Sequence, residues 1–119
     1  MSKTYTLGNS KAQIERMIPN LVIKKVKVGD RAIALTRIAD EFHAFSSSCP
    51  HRGASLLEAT INGFGEVICP LHQYRFDLKT GQVKSGSCGE LEIFPSELSE
   101  SGLKITLPNS KKNFLLSDN

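Results

Sequence analysis

Two short boxes of cysteine and histidine carry the residue types in this chain that could do chemistry. Seventeen residues separate the boxes, which read Cys49-Pro50-His51 and Cys69-Pro70-Leu71-His72. Each box offers one thiolate and one imidazole, and these ligands suit zinc, iron or an iron–sulfur cluster but not calcium or magnesium. The two boxes together therefore predict a metal centre held between two loops.

The mixed composition of each box indicates two metal atoms. In C-x-H and C-x-x-H the two side chains diverge from a tight loop tip, so they need not converge on one metal. Two such loops facing each other would place two thiolates on one side and two imidazoles on the other. That is the ligand set of a [2Fe–2S] centre in which two histidines replace two cysteines on one iron. A structural zinc site is the second interpretation, although zinc fingers usually pair their cysteines in one knuckle and their histidines in another. A domain that keeps the loops without a metal is the third.

With C-P-H-R-G-A and C-P-L-H-x-Y-R-F-D at this distance, the chain resembles the Rieske family, most strongly over 42–81. The resemblance implies one [2Fe–2S] cluster per chain, with four ligands: Cys49, His51, Cys69 and His72. It also implies the Rieske fold, an all-β antiparallel sandwich or barrel with a smaller rubredoxin-like cluster-binding subdomain at about 47–82. The number of short strands predicted at close spacing independently favours a small all-β barrel or sandwich.

The activity implied by the resemblance is that of a stand-alone Rieske-type ferredoxin, a one-electron carrier and not an enzyme. Rieske oxygenases add a domain with a mononuclear iron, usually held by two histidines and a carboxylate. This chain has three histidines, two of which are assigned to the cluster. The implied partners are a flavin- or NAD(P)H-dependent reductase upstream and a Rieske-type oxygenase downstream. The docking surface would surround the two histidine ligands: Pro50, Arg52, Pro70, Leu71 and Gln73.

Two other functions stay open at this point. One is the Rieske-like small subunit of a larger reductase, such as assimilatory nitrite reductase. The other is a structural or interaction module stabilised by zinc, which would be colourless because zinc is d¹⁰.

Length, hydropathy and cysteine count narrow the class of protein. A chain of 119 residues predicts one domain over 1–119. No apolar run approaches the ~20 residues of a membrane span, and the first residues lack the apolar stretch of a secretory signal. With two cysteines assigned as ligands, Cys88 has no disulfide partner, which fits a reducing, cytoplasmic setting. A net charge of +3 without an aromatic-interleaved basic patch gives no indication of nucleic-acid binding.

Departures from the respiratory branch of the family predict a low reduction potential. That branch carries an extra cysteine in each box, joined as a disulfide, where this chain has Leu71 and, in the first box, Ala54 or its neighbours. Its two hydroxyl donors to sulfur correspond here to Tyr74 and Phe76, and Phe76 has no hydroxyl. The resemblance therefore implies a midpoint toward the low end of the range for Rieske centres, about −150 to +300 mV.

The elements that must position the boxes follow from alternation and turn residues. Strands are predicted over 1–7, 21–28, 31–38, 42–46, 66–68, 91–94 and 103–107. Ser10 is predicted to cap a short helical turn through Met17, and Asn62-Gly63 predicts a hairpin turn. Residues 77–81 are predicted as a tight turn, 82–90 as a loop and 97–102 as a polar turn.

Several side chains receive structural predictions. Phe76 and Leu78 are predicted core residues, 55–57 should pack beneath the first box, and 114–116 should tuck a tail onto the body. His43 is predicted to lie on the surface of its strand, and Cys88 to be partly packed near a turn. The group Lys24, Lys25 and Lys27 is predicted as the solvated face of a strand, with a docking role as the alternative.

Overall fold

The computed structural model describes residues 2–50, 53–71, 73–86 and 88–108. The predicted ligands His51 and His72 lie outside the described residues, as do Arg52 and the predicted tail contact at 114–116. Within the described ranges the chain forms one α-helix, one 3₁₀ turn and eleven short strands. All the strand pairs in these ranges are antiparallel, which confirms the all-β prediction.

The elements follow in this order along the chain. The strands are β1 Ser2–Leu7, β2 Lys24–Val28, β3 Arg31–Ile38, β4 Glu41–Phe45, β5 Thr60–Ile61, β6 Glu66–Ile68, β7 Arg75–Asp77, β8 Val83–Ser85, β9 Ile93–Phe94, β10 Ser96–Ser99 and β11 Gly102–Pro108. The helix α1 is Lys11–Met17, and the 3₁₀ turn is Leu56–Glu58.

The strands form three sheets. The terminal sheet has the order β1-β11-β10, the central sheet β2-β3-β4-β9, and the loop sheet β5-β6-β7-β8. The two boxes belong to loops that flank the loop sheet, since Cys49 follows β4 and Cys69 directly follows β6. The first box therefore follows a strand of the central sheet, and the second box follows a strand of the loop sheet.

The central sheet has buried residues on both faces, and this divides the interior into two cores. On β3, Ile33 and Leu35 enter one core while Ala34 between them enters the other, as the period-two alternation of a strand requires. The base core lies against α1 and the terminal sheet and consists of Ile14, Ile18, Val26, Val28, Ile33, Leu35, Ala44, Phe94, Leu103, Ile105 and Leu107. The loop core consists of Ala34, Phe45, Cys49, Leu56, Val67, Cys69, Phe76, Leu78 and Leu91.

The helical turn forms as predicted. The Ser10 side chain accepts a hydrogen bond from the Gln13 backbone N–H at 3.1 Å, which satisfies one of the donors left open at a helix start. Ile14 on the inner face is fully buried in the base core. A helix of seven residues has little stability of its own. The helix α1 therefore depends on this contact with the base core.

Three of the predicted elements are wrong in part. The predicted loop at 82–90 contains β8, which pairs with β7. The predicted polar turn at 97–102 contains most of β10, where Leu98 packs on the base core and leaves only a short turn before β11. In the predicted strand 91–94 only Ile93 and Phe94 pair, and their side chains enter different cores. In the first two cases, hydrogen bonds to the neighbouring strand of a hairpin override the local polar composition. In the third, only the two residues of β9 find a partner, on β4.

The bounds of β2 also differ from the prediction. Residues 21–23 precede the strand instead of forming its first half, because this segment makes separate contacts with the end of β3. The Leu21 backbone N–H donates to the Arg37 carbonyl at 2.7 Å, and the buried Thr36 hydroxyl donates to the Val22 carbonyl at 2.9 Å. Among the described residues no helix has the length and apolar character needed to cross a membrane.

Candidate metal centre

The first box begins a tight backbone loop. The Cys49 N–H donates to the Ala54 carbonyl at 2.8 Å, and the Gly53 N–H donates back to the Cys49 carbonyl at 2.7 Å. Gly53 has a φ of +72°, in the left-handed region that side chains disfavour. A Cβ there would meet no atom of the described residues within 4 Å, so the positive φ alone accounts for the glycine.

The second box lies at the turn between β6 and β7. The Cys69 N–H donates to the Tyr74 carbonyl at 2.7 Å, which closes the loop on itself. Pro70 and Leu71 are exposed at its tip. Gln73 has a φ of +59°, a conformation that favours glycine. The backbone at this position would suit a glycine better than the bulkier residue that this chain carries.

The structure brings the two cysteines of the boxes into one core. Cys49 is 2% exposed and Cys69 is fully buried, and both belong to the loop core with Leu56 and Val67. No disulfide involves any of the three cysteines of the chain, all of which are described. Two thiols buried together, one from each loop, are the donor chemistry that a metal or an iron–sulfur cluster requires.

The structure tests only the cysteine half of the predicted ligand set. Within the described ranges there is no group of three or more histidine, cysteine, aspartate or glutamate side chains that could hold a metal ion. His51 is two residues beyond Cys49 and His72 three residues beyond Cys69, and both lie outside those ranges.

A third loop, between β8 and β9, packs beside the second box. Gly86 has a φ of +126°, and a Cβ at this position would overlap the ring of Tyr74. The Cys88 thiol packs at the edge of the loop core and donates a weak hydrogen bond to the Gly89 carbonyl at 3.4 Å. Burial, and secondarily the neighbouring Cys69, raises the pKa of the Cys88 thiol. The partly packed position predicted for Cys88 is confirmed.

The sequence analysis missed this third loop as part of the site. Its one signal was the pair of glycines around Cys88, which is equally typical of an ordinary surface loop. The contact between Gly86 and Tyr74 exists only because the β7–β8 pairing brings the two segments together.

The turn after β7 ties the third loop to the loop sheet. Asp77 Oδ1 accepts from the Lys79 N–H at 2.7 Å, and the Gly81 N–H donates to the Asp77 carbonyl at 2.7 Å. The Leu91 N–H donates to the Gly81 carbonyl at 2.7 Å. Gly81 has a φ of +80°, and a Cβ on it would collide with the Leu91 carbonyl oxygen. The predicted tight turn at 77–81 is confirmed, with Gly81 as the contact point for the returning chain.

Hydrogen bonds among polar side chains stabilise the β5–β6 hairpin. Asn62 Oδ1 accepts from the Phe64 and Glu66 backbone N–H groups at 2.9 and 3.1 Å. Asn62 Nδ2 donates to Glu66 Oε1 at 2.7 Å, and Arg75 Nη1 lies 3.4 Å from the same oxygen. The buried Glu66 carboxylate is therefore paired, as a charge in such a position must be. The hairpin predicted from Asn62-Gly63 is confirmed.

His43 on β4 lies against the turn after β7. Its Nε2 lies 3.6 Å from Glu41 Oε1, and the imidazole also hydrogen-bonds to the backbone of Leu78. Only 11% of the side chain is exposed, so the predicted surface position is wrong. Burial lowers the pKa of His43, opposed by the nearby Glu41 carboxylate.

Residues 11–95 match the family model for the Rieske [2Fe-2S] domain. The chain belongs to the Rieske [2Fe–2S] domain family. Ferredoxin CarAc from Metapseudomonas resinovorans is 36% identical to this Rieske chain over 86 residues, which span 71% of this chain and 78% of the relative. Membership of the family brings with it one [2Fe–2S] cluster as the cofactor.

Solved structures agree with the sheet arrangement. A structure titled as the complex of reduced oxygenase and oxidized ferredoxin in carbazole 1,9a-dioxygenase contains a chain that is 28% identical, with a TM-score of 0.69. The match covers 84% of this Rieske chain and 98% of that chain. The putative NADH-dependent nitrite reductase small subunit from Mycobacterium tuberculosis has a TM-score of 0.75 at 17% identity, covering 92% of this chain and 99% of that one. At that identity the second likeness shows a shared fold and does not favour the reductase-subunit alternative.

Proposed function

We propose that this chain is a one-electron carrier that passes electrons from a flavin- or NAD(P)H-dependent reductase to a Rieske-type oxygenase. The observation that carries the proposal is the pair of buried cysteines, one from each of two loops, in a single core. The ferredoxin relative and the oxygenase–ferredoxin complex support the choice of partners. The protein acts as a single domain over 1–119 in the cytoplasm, with the cluster-binding subdomain at about 47–82.

The ligand set of the proposal comprises four residues: Cys49, His51, Cys69 and His72. When bound, the [2Fe–2S] cluster supplies a centre that takes up and releases one electron. The protein contributes the thiolates from the base of each loop and shields them from water within the loop core. The two histidines supply neutral nitrogen ligands, which raise the potential relative to an all-cysteine cluster.

The tips of the two boxes, around the two histidines, are the proposed exit for the electron. Pro50, Pro70 and Leu71 are exposed beside the loops that hold the cysteines. Prolines restrict φ and stiffen a loop, so the tip presents a rigid and partly apolar surface to a partner. Such a surface allows repeated docking without the entropy cost of ordering a flexible loop.

Absorption and EPR spectra of the purified protein, before and after dithionite, test the function. We expect a red-brown protein that bleaches on reduction and gains a rhombic EPR signal with a low average g value. Cys49→Ser and Cys69→Ser should abolish the cluster, whereas Cys88→Ser is the matched control and should retain it. A colourless protein that holds one zinc ion after anaerobic reconstitution would instead establish the structural module.

The midpoint potential tests the prediction that the cluster has a low reduction potential. Phe76 is fully buried in the loop core and has no hydroxyl to donate to sulfur. We expect a midpoint in the lower part of the range, and a value well above ~+100 mV would contradict this reasoning.

A further inference from the structure

The charges of this chain are strongly segregated along the sequence. Eight of its 15 basic residues, but only two of its 12 acidic residues, lie in the first 37 positions. These positions contain β1, α1, β2 and β3. The first 37 positions therefore carry a net charge of +6 and the remaining positions −3.

The strand register places two of these basic residues on the face of the central sheet that carries the cluster loops. Lys25 lies opposite Ala34, and Lys27 lies opposite Ala32. Directly opposite residues of an antiparallel pair point to the same face, and Ala34 is fully buried in the loop core. Lys25 and Lys27 therefore project on the side of the sheet where Cys49 and Cys69 lie.

The loop core covers only part of this face. Phe45 on β4 lies opposite Ala34, so Phe45, Ala34 and Lys25 form one row across three strands. The first two are buried and the third is exposed. In the next row, Ala32 and Lys27 are both exposed. The loop core therefore ends beside these residues and leaves part of the sheet face exposed. We call this exposed part the shelf and define it as Lys25, Lys27 and Ala32.

Lys25 and Lys27 are both exposed on β2, which is the first strand of the central sheet. The short Ala32 side chain leaves the two lysines unobstructed. Two exposed lysines on one face give that face a positive charge, which is complementary to the acidic surface of a partner protein.

We propose that the shelf binds an acidic surface of a redox partner and so places that partner beside the loop core that contains Cys49 and Cys69. This inference rests on the proposed electron-transfer function and names the chemistry of the partner's contact surface. β2 is an edge strand of the central sheet, and lysines on an edge also prevent unwanted strand pairing. That protective role needs a charge of either sign, whereas docking of an acidic partner needs a positive charge.

Charge reversal separates the two roles. The double variant Lys25→Glu/Lys27→Glu keeps a charged edge but inverts the shelf. Lys24→Glu/Lys104→Glu is the matched control, because both variants change the net charge from +3 to −1. Lys24 lies opposite Leu35 on the base-core face of the same strand, and Lys104 is exposed on β11 of the terminal sheet.

The assay measures second-order electron-transfer rates of the cluster-loaded proteins by stopped flow. Reduced flavodoxin serves as an acidic protein donor and oxidised cytochrome c as a basic protein acceptor. At an ionic strength of about 10 mM we expect the shelf variant to accept electrons from flavodoxin at least about tenfold more slowly than the wild type, and the control to change less than about threefold. The difference should vanish above about 0.3 M salt, and the reaction with cytochrome c should not slow.

Several results would overturn the proposal. If both double variants slow equally, only the net charge matters and the shelf has no special role. Unchanged rates in the shelf variant would refute it directly. Binding of the wild type to phosphatidylglycerol vesicles, lost in the shelf variant with unchanged protein rates, would assign the shelf to a lipid surface. Lys25→Gln/Lys27→Gln covers the case in which the reversed pair does not fold. A wild type without a cluster would contradict the proposed function itself, before any rate is measured.

Discussion

Truncation of Leu56 tests whether the loop core holds the cluster loops in place. Leu56 is fully buried, begins the 3₁₀ turn just after the first box, and shares the loop core with Cys49 and Cys69. Its backbone is anchored independently by the bond from the Leu56 N–H to the Ser47 carbonyl at 2.8 Å. Leu56→Ala therefore removes side-chain packing beneath the loop while it keeps the backbone contact.

The expected cost follows from complete burial. A buried leucine reduced to alanine costs about 2–5 kcal/mol, the sum of lost transfer free energy and the cavity left behind. We take about 3 kcal/mol, or roughly 150-fold in the folding equilibrium constant. A domain of this size has about 5–15 kcal/mol in total, so the variant should still fold. Leu103→Ala is the matched control, because Leu103 is also fully buried but belongs to the base core.

The assay compares two readouts in each protein. Urea unfolding followed by far-ultraviolet circular dichroism reports the free energy of unfolding, and visible circular dichroism under native conditions reports loss of the cluster. Both variants should lose a similar free energy of unfolding. Only Leu56→Ala should release the cluster faster than expected from its lost stability, because only its cavity borders the cysteines. Equal release rates in the two variants would refute the division into two cores, and a loss below about 1 kcal/mol for Leu56→Ala would refute the close packing of this residue.

Three further predictions follow from the backbone and from His43. Gly81→Ala should destabilise the protein by at least about 2 kcal/mol in urea unfolding, because the side chain is strained at positive φ and collides with the Leu91 carbonyl; a neutral effect would contradict the turn geometry. Gln73→Gly should stabilise it by about 0.5–1 kcal/mol by relieving the left-handed backbone, and destabilisation would contradict that conformation. Burial lowers the pKa of His43 from 6.5, so the unfolded chain binds the proton first and stability falls as the pH drops below about 6.5 toward the folded-state pKa. His43→Gln should remove this part of the slope in unfolding free energies measured between pH 7.5 and 5.5, and an unchanged slope would show that His43 does not contribute.

The two boxes illustrate what local sequence can reveal about a site. Cysteine and histidine at fixed spacing identify a metal centre because ligand chemistry depends on residue type, not on the surrounding fold. The loop conformations were also legible in part, since Gly81 has a positive φ in the tight turn that the sequence predicted at 77–81. The family, the all-β class and the cofactor all followed from these short segments.

Short polar strands were not legible in the same way. β8 and β10 pair in hairpins with their neighbours along the chain, β7 and β11, but their polar composition is that of a loop. From the sequence His43 is a polar residue on a strand, yet only 11% of its side chain is exposed because it lies against the turn after β7. Such errors arise because a polar residue can be buried wherever a second element supplies its hydrogen bond.

The sequence by itself determined the cofactor, the tight turn at 77–81 and the β class, because each depends on residues that are close along the chain. Only the tertiary structure decided that the central sheet separates two cores, that Gly86 lies against Tyr74, and that Lys25 and Lys27 share a face with the cluster loops. A strand presents alternate residues to opposite faces, but which face meets which layer depends on register and on the order of strands in the sheet. Those are properties of the whole fold, and the docking surface depends on them.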